Sequence, residues 1–231
     1  MLGVDDAHSV ELHTCDGLIA VVSLVLLADF ENIDAEDNAR YLAWLTPRAC
    51  RHSAIIDNVM EQGAVYPLSF GTVFSSVSAL EQVMTQRSNE VSASLQHIAE
   101  CQEWSLEVTL DRNQAVDNLL REELSSERIS LPEGSGRRHL EEQKLRRNLN
   151  ASLSDWTEST LVAIYDGIKP MTRDACQRKH SDQKVMHWAF LISDDAVASF
   201  LPYIDQISTD YQPFGFNFRL TGPWAAYSFA R

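Results

Sequence analysis

The residues best able to do acid–base, nucleophilic or metal chemistry are seven histidines and four cysteines. The histidines are dispersed. His52 falls mid-helix beside Arg48 and Arg51, and no acid stands at a spacing that would make it a general base, so it reads as a surface or packing histidine. Cys15, Cys50, Cys101 and Cys176 are scattered, with no C-x-x-C pair and no Cys/His zinc spacing. Nothing near Cys50 or Cys101 would lower a thiol pKa, so both read as small buried hydrophobes. The phosphate loop, the dinucleotide glycine fingerprint, the nucleophile elbow and the H-E-x-x-H pair are all missing. Gly134-Ser135-Gly136 before Arg137-Arg138 has the outline of an anion site at a helix start. It has too few glycines, and no strand precedes it, so it reads as a flexible loop. The sequence predicts no catalytic residue, no cofactor and no metal.

What remains is binding chemistry. Arg137, Arg138, Lys144, Arg146 and Arg147 interleave with Glu141 and Glu142. That pattern suits a solvated helix with i,i+4 pairs, and equally a dock for acidic partners, including the acidic half of another copy. Trp224, Tyr227 and Phe229 follow Gly222-Pro223 at the end of the sequence. Three aromatics in six residues must pack somewhere, either on this protein's own core or against a partner. Between Val65 and Phe74, Pro67 cannot donate to a ladder, and Gly71 permits a bulge or a close backbone approach.

Charge narrows the partners. The formal net charge is −14 and the pI about 4.8, which excludes general nucleic-acid binding and docking on anionic lipid. Up to Leu110 the only basic residues are Arg40, Arg48, Arg51 and Arg87, an asymmetry that fits two domains meeting different surfaces and equally fits solubility alone. No basic segment precedes an apolar run at the start. The longest apolar stretch, Leu18 to Leu27, is about half of a membrane span. The expectation is a cytoplasmic protein with reduced thiols.

The elements that would position these residues follow from periodicity. Residues 1–16 are polar and aperiodic. Leu18 to Leu27 reads as a central strand buried on both faces. Asp34 to Gln62 is helical, with Pro47 starting a new segment or kinking the helix. Ala64 to Phe74 is a short β segment, and Val77 to Cys101 a long helix. Glu103 to Leu110 alternates Trp104, Leu106, Val108 and Leu110 against a wet face. Thereafter Gln114 to Leu124 is helical, Ser125 to Gly136 a loop, and Arg137 to Ile168 helical in two runs. Lys169 to Lys179 reads as an edge strand and Lys184 to Ile192 as a strand. Ser193 caps a helix to Tyr211, and Phe214 to Leu220 is the last strand. The division is two α+β domains, 1–110 and 111–231, each a small open-faced α/β sandwich of ferredoxin-like kind, with a short C-terminal tail.

Several segments are recognisable together. Pro67-Leu-Ser-Phe-Gly-Thr-Val-Phe74 resembles the "P-x-R-F-G-T-x-F" segment of the gas vesicle F/L family (GvpF/GvpL). Glu103-Trp-Ser-Leu-Glu-Val108 resembles its "E-W-x-V-K-V" strand, and Val185 to Ile192 its late apolar strand. Leu220-Thr-Gly-Pro-Trp-Ala-Ala-Tyr-Ser-Phe229 resembles its closing "T-G-P-W-P-P-Y-S-F". The motif positions Pro67, Phe70, Gly71, Trp104, Gly222 and Pro223 carry the likeness. Ser69 in place of a basic residue, Glu107 in place of Lys, and Ala225-Ala226 in place of prolines mark a divergent paralogue. The resemblance implies a cytoplasmic, gas-vesicle-associated protein of two α+β domains. It implies binding to the main shell protein or to other gas vesicle proteins. A soluble chaperone absent from the finished vesicle and a small-ligand α+β module remain the alternatives.

Overall fold

Asp16-Gly17 opens the fold. Both residues have positive φ, 50° and 76°, as a two-residue type I′ hairpin turn requires. The turn joins β1 (Val10–Cys15) to β2 (Leu18–Ser23) in antiparallel register from Cys15↔Leu18 to Val10↔Ser23. The structure, a computed structural model, describes residues 1–31, 38–126, 134–179 and 183–230. The sequence pattern does not reveal β1, whose polar side chains alternate with apolar ones that face outward. Nor is Leu18 to Leu27 a strand buried on both faces. Instead β2 belongs to a two-stranded sheet, which has only one packed face.

Two compact units divide the chain: residues 1–102 with 224–230, and residues 103–223. In the first, α1 (Ala28–Glu31), α2 (Asn38–Met60) and α3 (Val77–Ile98) follow the hairpin. The start of the expected helix, residues 34–37, lies outside the described residues. Helix α2 is continuous through Pro47. Ser76 caps α3 by accepting from the Ala79 N–H at 3.1 Å. One face of the hairpin packs on α3 around Leu18, Leu80 and Met84. Residues 64–74 are not a strand. Pro67 brings no N–H, and Gly71 (φ 88°) sits third in a turn closed by Thr72 N–H on Ser69 O at 3.2 Å.

The second unit runs β3 (Cys101–Leu110), α4 (Arg112–Ser125), α5 (Ser135–Ile168), β4 (Thr172–Gln177), β5 (Lys184–Ser193), α6 (Val197–Tyr211) and β6 (Phe216–Trp224). The strands order β4-β5-β3-β6, the split βαβ arrangement of a β-α-β-β-α-β unit. Alternating Trp104, Leu106 and Val108 meet Met186, Phe190 and Phe216 of the neighbouring strands and Ile164 and Phe200 of the helices in one core. Helix α4 is capped by the Asp111 carboxylate, which accepts from Asn113 and Gln114 N–H at 3.0 Å each. It packs on α5 through Ala115, Val116 and Leu153. Residues 127–133, the middle of the expected loop, lie outside the described residues. Helix α6 starts at Val197 with no side-chain cap; Ser193 accepts the Ala196 N–H through its carbonyl instead.

Two expectations change here. The boundary falls after Gln102 rather than at 110, because β3 is a middle strand of the second sheet and its apolar face fills that core. The tail groups with the first unit, not the second. A four-stranded open-faced sandwich therefore describes the second unit, while the first is a hairpin with helices.

Candidate functional site

The basic helix is α5. Its first half, from Ser135 to Asn150, is almost wholly exposed. Arg138 Nε donates to Glu142 Oε1 at 3.1 Å, and Lys144 lies 3.9 Å from Glu141. Arg146 pairs with Asp117 of α4 at 2.5 Å. These pairs are exposed and contribute about 0.3–0.5 kcal/mol each. Arg137 and Arg147 are exposed as well. Local carboxylates thus answer three of the five cations. Arg146 also lines an open groove with Asp117, Leu120, Arg121 and Leu124.

In the first unit the Pro67–Phe74 segment is anchored by aromatics. Phe70 stands 6.1 Å from Trp44 and 5.7 Å from the His52 ring, and Phe30 meets Trp44 edge-on at 5.3 Å. The Arg48 guanidinium lies over Trp44 at 5.0 Å. Burial pushes the His52 pKa down, so this histidine is a packing residue. Pro67 is buried, and Tyr66 accepts from Arg87 at 3.0 Å. The motif therefore fastens a turn onto α2 and α3. Trp44 and Arg48 stand at i and i+4 on α2, a spacing that could have pointed to this cluster. Cys50, expected buried, is exposed on α2, and none of the four cysteines is in a disulfide.

A charged ladder crosses the second sheet on the face opposite its helices. Alternation alone makes this the wet face of β3, yet Glu103 is 0% exposed and Ser105 is buried too. Pairing explains it: Glu103 is bound by Arg178. Glu107 accepts from Lys184 at 2.7 Å and from Arg219 at 3.0 and 2.6 Å. Lys184, then Arg219, hold its carboxyl down to about 2. Ser105 Oγ lies 3.2 Å from His187 Nε2, with Glu107 on the same nitrogen at 3.6 Å. Serine, histidine and acid together invite comparison with a nucleophilic triad, but the geometry is wrong. A triad acid binds the nitrogen remote from the serine. Here Nδ1 faces the Lys179 carbonyl at 3.3 Å, which only accepts, so Nδ1 carries the proton and Nε2 accepts from Ser105. Burial lowers the His187 pKa, and Ser105 has no open face for a substrate. The ladder ties β6, β3, β5 and β4 together.

The tail divides by residue. Phe229 is 5% exposed and Ala225 and Ala226 are buried, while Trp224 is 45% exposed and Tyr227 is exposed beside it. Burial, then the Asp57 charge, raises the Tyr227 pKa. The strand enters the tail through Gly222 (φ 142°), where a Cβ would stand 2.9 Å from Glu103 O and 3.0 Å from the Trp104 ring. The Gly222–Pro223 bond is cis. Gly222, Pro223 and Trp104 thus form one close-packed exit.

The feature sequence reasoning did not single out is exposed apolar surface. Sixteen large apolar side chains among the described residues are exposed, and only Leu140 and Val162 belong to the second unit. In the first they include Leu12 and Ile19 on the hairpin and Leu24, Leu26 and Leu27 just after it. Among the described residues no three His, Cys, Asp or Glu side chains converge as metal ligands. No helix there is long and apolar enough to cross a membrane.

The profile of a family described as "Gas vesicle synthesis protein GvpL/GvpF" matches residues 2–231. The chain is similar to a protein named gas vesicle protein L from Streptomyces sp. (strain CB03234), 24% identical over 226 residues, which are 92% of this chain and 80% of that one. Its fold is similar to the crystal structure of gas vesicle protein GvpF from Microcystis aeruginosa (TM-score 0.69, 17% identity, covering 100% of this chain and 92% of that one). It is likewise similar to GvpF from Anabaena sp. PCC7120 (TM-score 0.72, 17% identity, covering 100% and 91%). At these identities the likeness to the crystal structures is one of fold.

Proposed function

Because the chain belongs to the gas vesicle synthesis protein GvpL/GvpF family, we propose that it serves vesicle formation by binding the main shell protein or other gas vesicle proteins, without catalysis. The observation that carries this is the concentration of exposed apolar side chains in the first unit. A shell-forming subunit that presents apolar surface before assembly needs a companion that covers it. Leu12, Ile19, Leu24 and Leu26 offer such a cover, and the exposed rim of the tail, Trp224 and Tyr227, adds aromatic area. The net charge of −14 keeps the carrier dispersed while it does so. The protein works in the cytoplasm and at the vesicle.

The test is a gene deletion in a vesicle-forming host, complemented by the natural chain or by a Leu12→Ser/Leu26→Ser form. The natural chain restores vesicles and co-purifies with the shell protein; the double variant is folded but does neither. Vesicles that form normally without the gene would end the reading. Washing purified vesicles and probing for this chain separates a shell-bound role from that of a chaperone left behind.

A further inference from the structure

The hairpin leaves one strand edge open. In a two-residue hairpin the pair flanking the turn is hydrogen-bonded, and bonded pairs recur at every second position. Cys15↔Leu18, His13↔Ala20 and Glu11↔Val22 are therefore the bonded pairs in the observed register. The backbone N–H and C=O groups of Ile19, Val21 and Ser23 point away from β1. The outer edge of β1 is partly occupied, since Val10 N–H donates to Met1 O at 3.0 Å and Leu2 bridges to Ser9. No described strand pairs with the outer edge of β2, because its sheet ends there.

This edge lacks what normally blocks strand addition: Lys or another charge, proline, or a bulge. The β2 sequence, Leu18-Ile-Ala-Val-Val-Ser23, has none of these. The edges of the second unit have them. Strand β4 carries Arg173, Asp174 and a register shift between Thr172 and Asp174, and β6 carries the exposed Arg219 and Pro223. The hairpin face turned from α3 is uncharged as well. It carries Val10, Leu12 and Thr14 opposite Ser23, Val21 and Ile19, and Ile19 is 63% exposed. An added strand would thus find free backbone partners and an apolar side-chain row together.

We propose that the β2 edge captures an extended apolar segment of a neutral or basic partner protein, which adds as the third strand of the hairpin sheet. The proposal rests on the partner-binding reading above and assigns its mode, β-augmentation. Charge selects the partner. Residues 1–102 hold fourteen Asp and Glu against four Arg, a formal −10, with Glu11 and Asp16 in the hairpin and Asp5 and Asp6 shortly before it in sequence. A second copy brings the same charge and is repelled. A segment with neutral or cationic flanks is attracted.

The probe is a synthetic peptide of alternating valine and threonine with lysine at both ends, titrated into the full chain. Binding should slow amide exchange at Ile19 and Val21. A peptide with glutamate ends should bind at least tenfold more weakly, the gap closing with added salt. Val21→Pro removes one outward donor without touching a β1–β2 bond and should weaken binding tenfold or more at an unchanged melting temperature. Ile19→Lys, at an exposed side chain, tests the same edge should the proline disturb the hairpin. Unchanged exchange at Ile19 and Val21, or binding by both variants as tight as the parent's, overturns the proposal. So does a homodimer that Val21→Pro dissolves, which would make the occupant a second copy. In the host, these variants should lower vesicle yield as the deletion does. Full yield with the variants but none with the deletion overturns the edge proposal alone and leaves the assembly function standing.

Discussion

The two units solve the same problem unequally. The second closes a four-stranded sheet over α5 and α6, buries Phe190, Phe200 and Phe216 completely, and guards its edges with arginines, a bulge and a proline. The first rests on a core of Leu18, Leu80 and Met84 with an aromatic cluster beside it. It leaves nearly all the exposed large apolar side chains of the described residues in water. A unit that only had to fold would not retain them. Under the proposed function the contrast makes the first unit the one that meets a partner and the second its support, and it is open to direct attack by mutation.

The largest effect should come from exchanging the same kind of change between units. Phe200→Ala in the second unit removes a fully buried ring that meets Phe190 and Trp104. It should cost about 3–5 kcal/mol. Leu26→Ser in the first unit, at an exposed side chain, should stay within about 0.5 kcal/mol of the parent yet reduce vesicle formation. Urea denaturation beside a vesicle assay reads both. A Leu26→Ser chain that unfolds readily would mean that this apolar surface is core, and the contrast would break.

The tail sharpens the comparison one step down. Phe229→Ala should destabilise by about 3 kcal/mol, because its ring is buried. Trp224→Ala, at a side chain nearly half in water, should cost about 1 kcal/mol or less. Only the second change should weaken shell-protein binding at full stability, as read by thermal melting with a pull-down. Equal losses for the two would put Trp224 in the fold rather than at its rim.

Acid probes the scaffold through Glu107. Its folded pKa is about 2 against an ordinary 4.5, because Lys184 and Arg219 favour the carboxylate. A depressed carboxylate contributes stability that is fully present above 4.5 and is lost as pH falls from 4.5 toward 2. His187 acts higher. Burial holds its pKa below 6.5, so the neutral ring is favoured, and this contribution is present above 6.5 and declines as pH drops below it. Glu107→Gln should flatten a stability–pH curve between 4.5 and 2 without abolishing its slope, since Asp5 is also held near 2, and should deepen the upper segment, since the lost Glu107 charge was raising the His187 pKa. A curve for that variant with the parent's slope between 4.5 and 2 would show that the ladder contributes little.

What could be read from sequence follows the range of the interactions. Helix α3 and strands β3, β5 and β6 were legible because period 3.6 or 2 is local, and Trp104, Leu106 and Val108 face the core as their alternation requires. Strand β1 is not legible although Asp16-Gly17 is a strong hairpin turn, because Val10 and Leu12 face outward and blur the pattern. Residues 64–74 looked extended and were a proline-led turn. The boundary is not legible because β3 follows α3 in sequence but pairs with strands over 70 residues later. Which sheet a strand joins is a nonlocal fact. The ladder was half legible: Glu103, Ser105 and Glu107 alternate as an outer face must, but the burial that follows from Arg178, Lys184 and Arg219 depends on pairing.

The smallest expected effect concerns the basic half of α5. Arg146 and Arg147 are exposed, and only Arg146 has a partner in the described residues, Asp117 of α4. Reversing both to Glu should cost about 0.5–1 kcal/mol, since one exposed ion pair is replaced by repulsion between two carboxylates at Asp117. Stability therefore hardly registers the change, which makes it a clean probe of binding. If this helix docks an acidic partner, the reversal should weaken association most at low salt and least above about 0.5 M, where the Debye length is only a few ångströms. If it is a solvated face, association should be the same at every ionic strength. The comparison of the two units favours the solvated face. The cations are largely answered by Glu141, Glu142 and Asp117, whereas no described strand covers the outer side of the hairpin with its apolar residues. A salt-dependent loss on reversal would move part of the partner contact into the second unit and make the division of labour less complete than the distribution of exposed apolar surface implies.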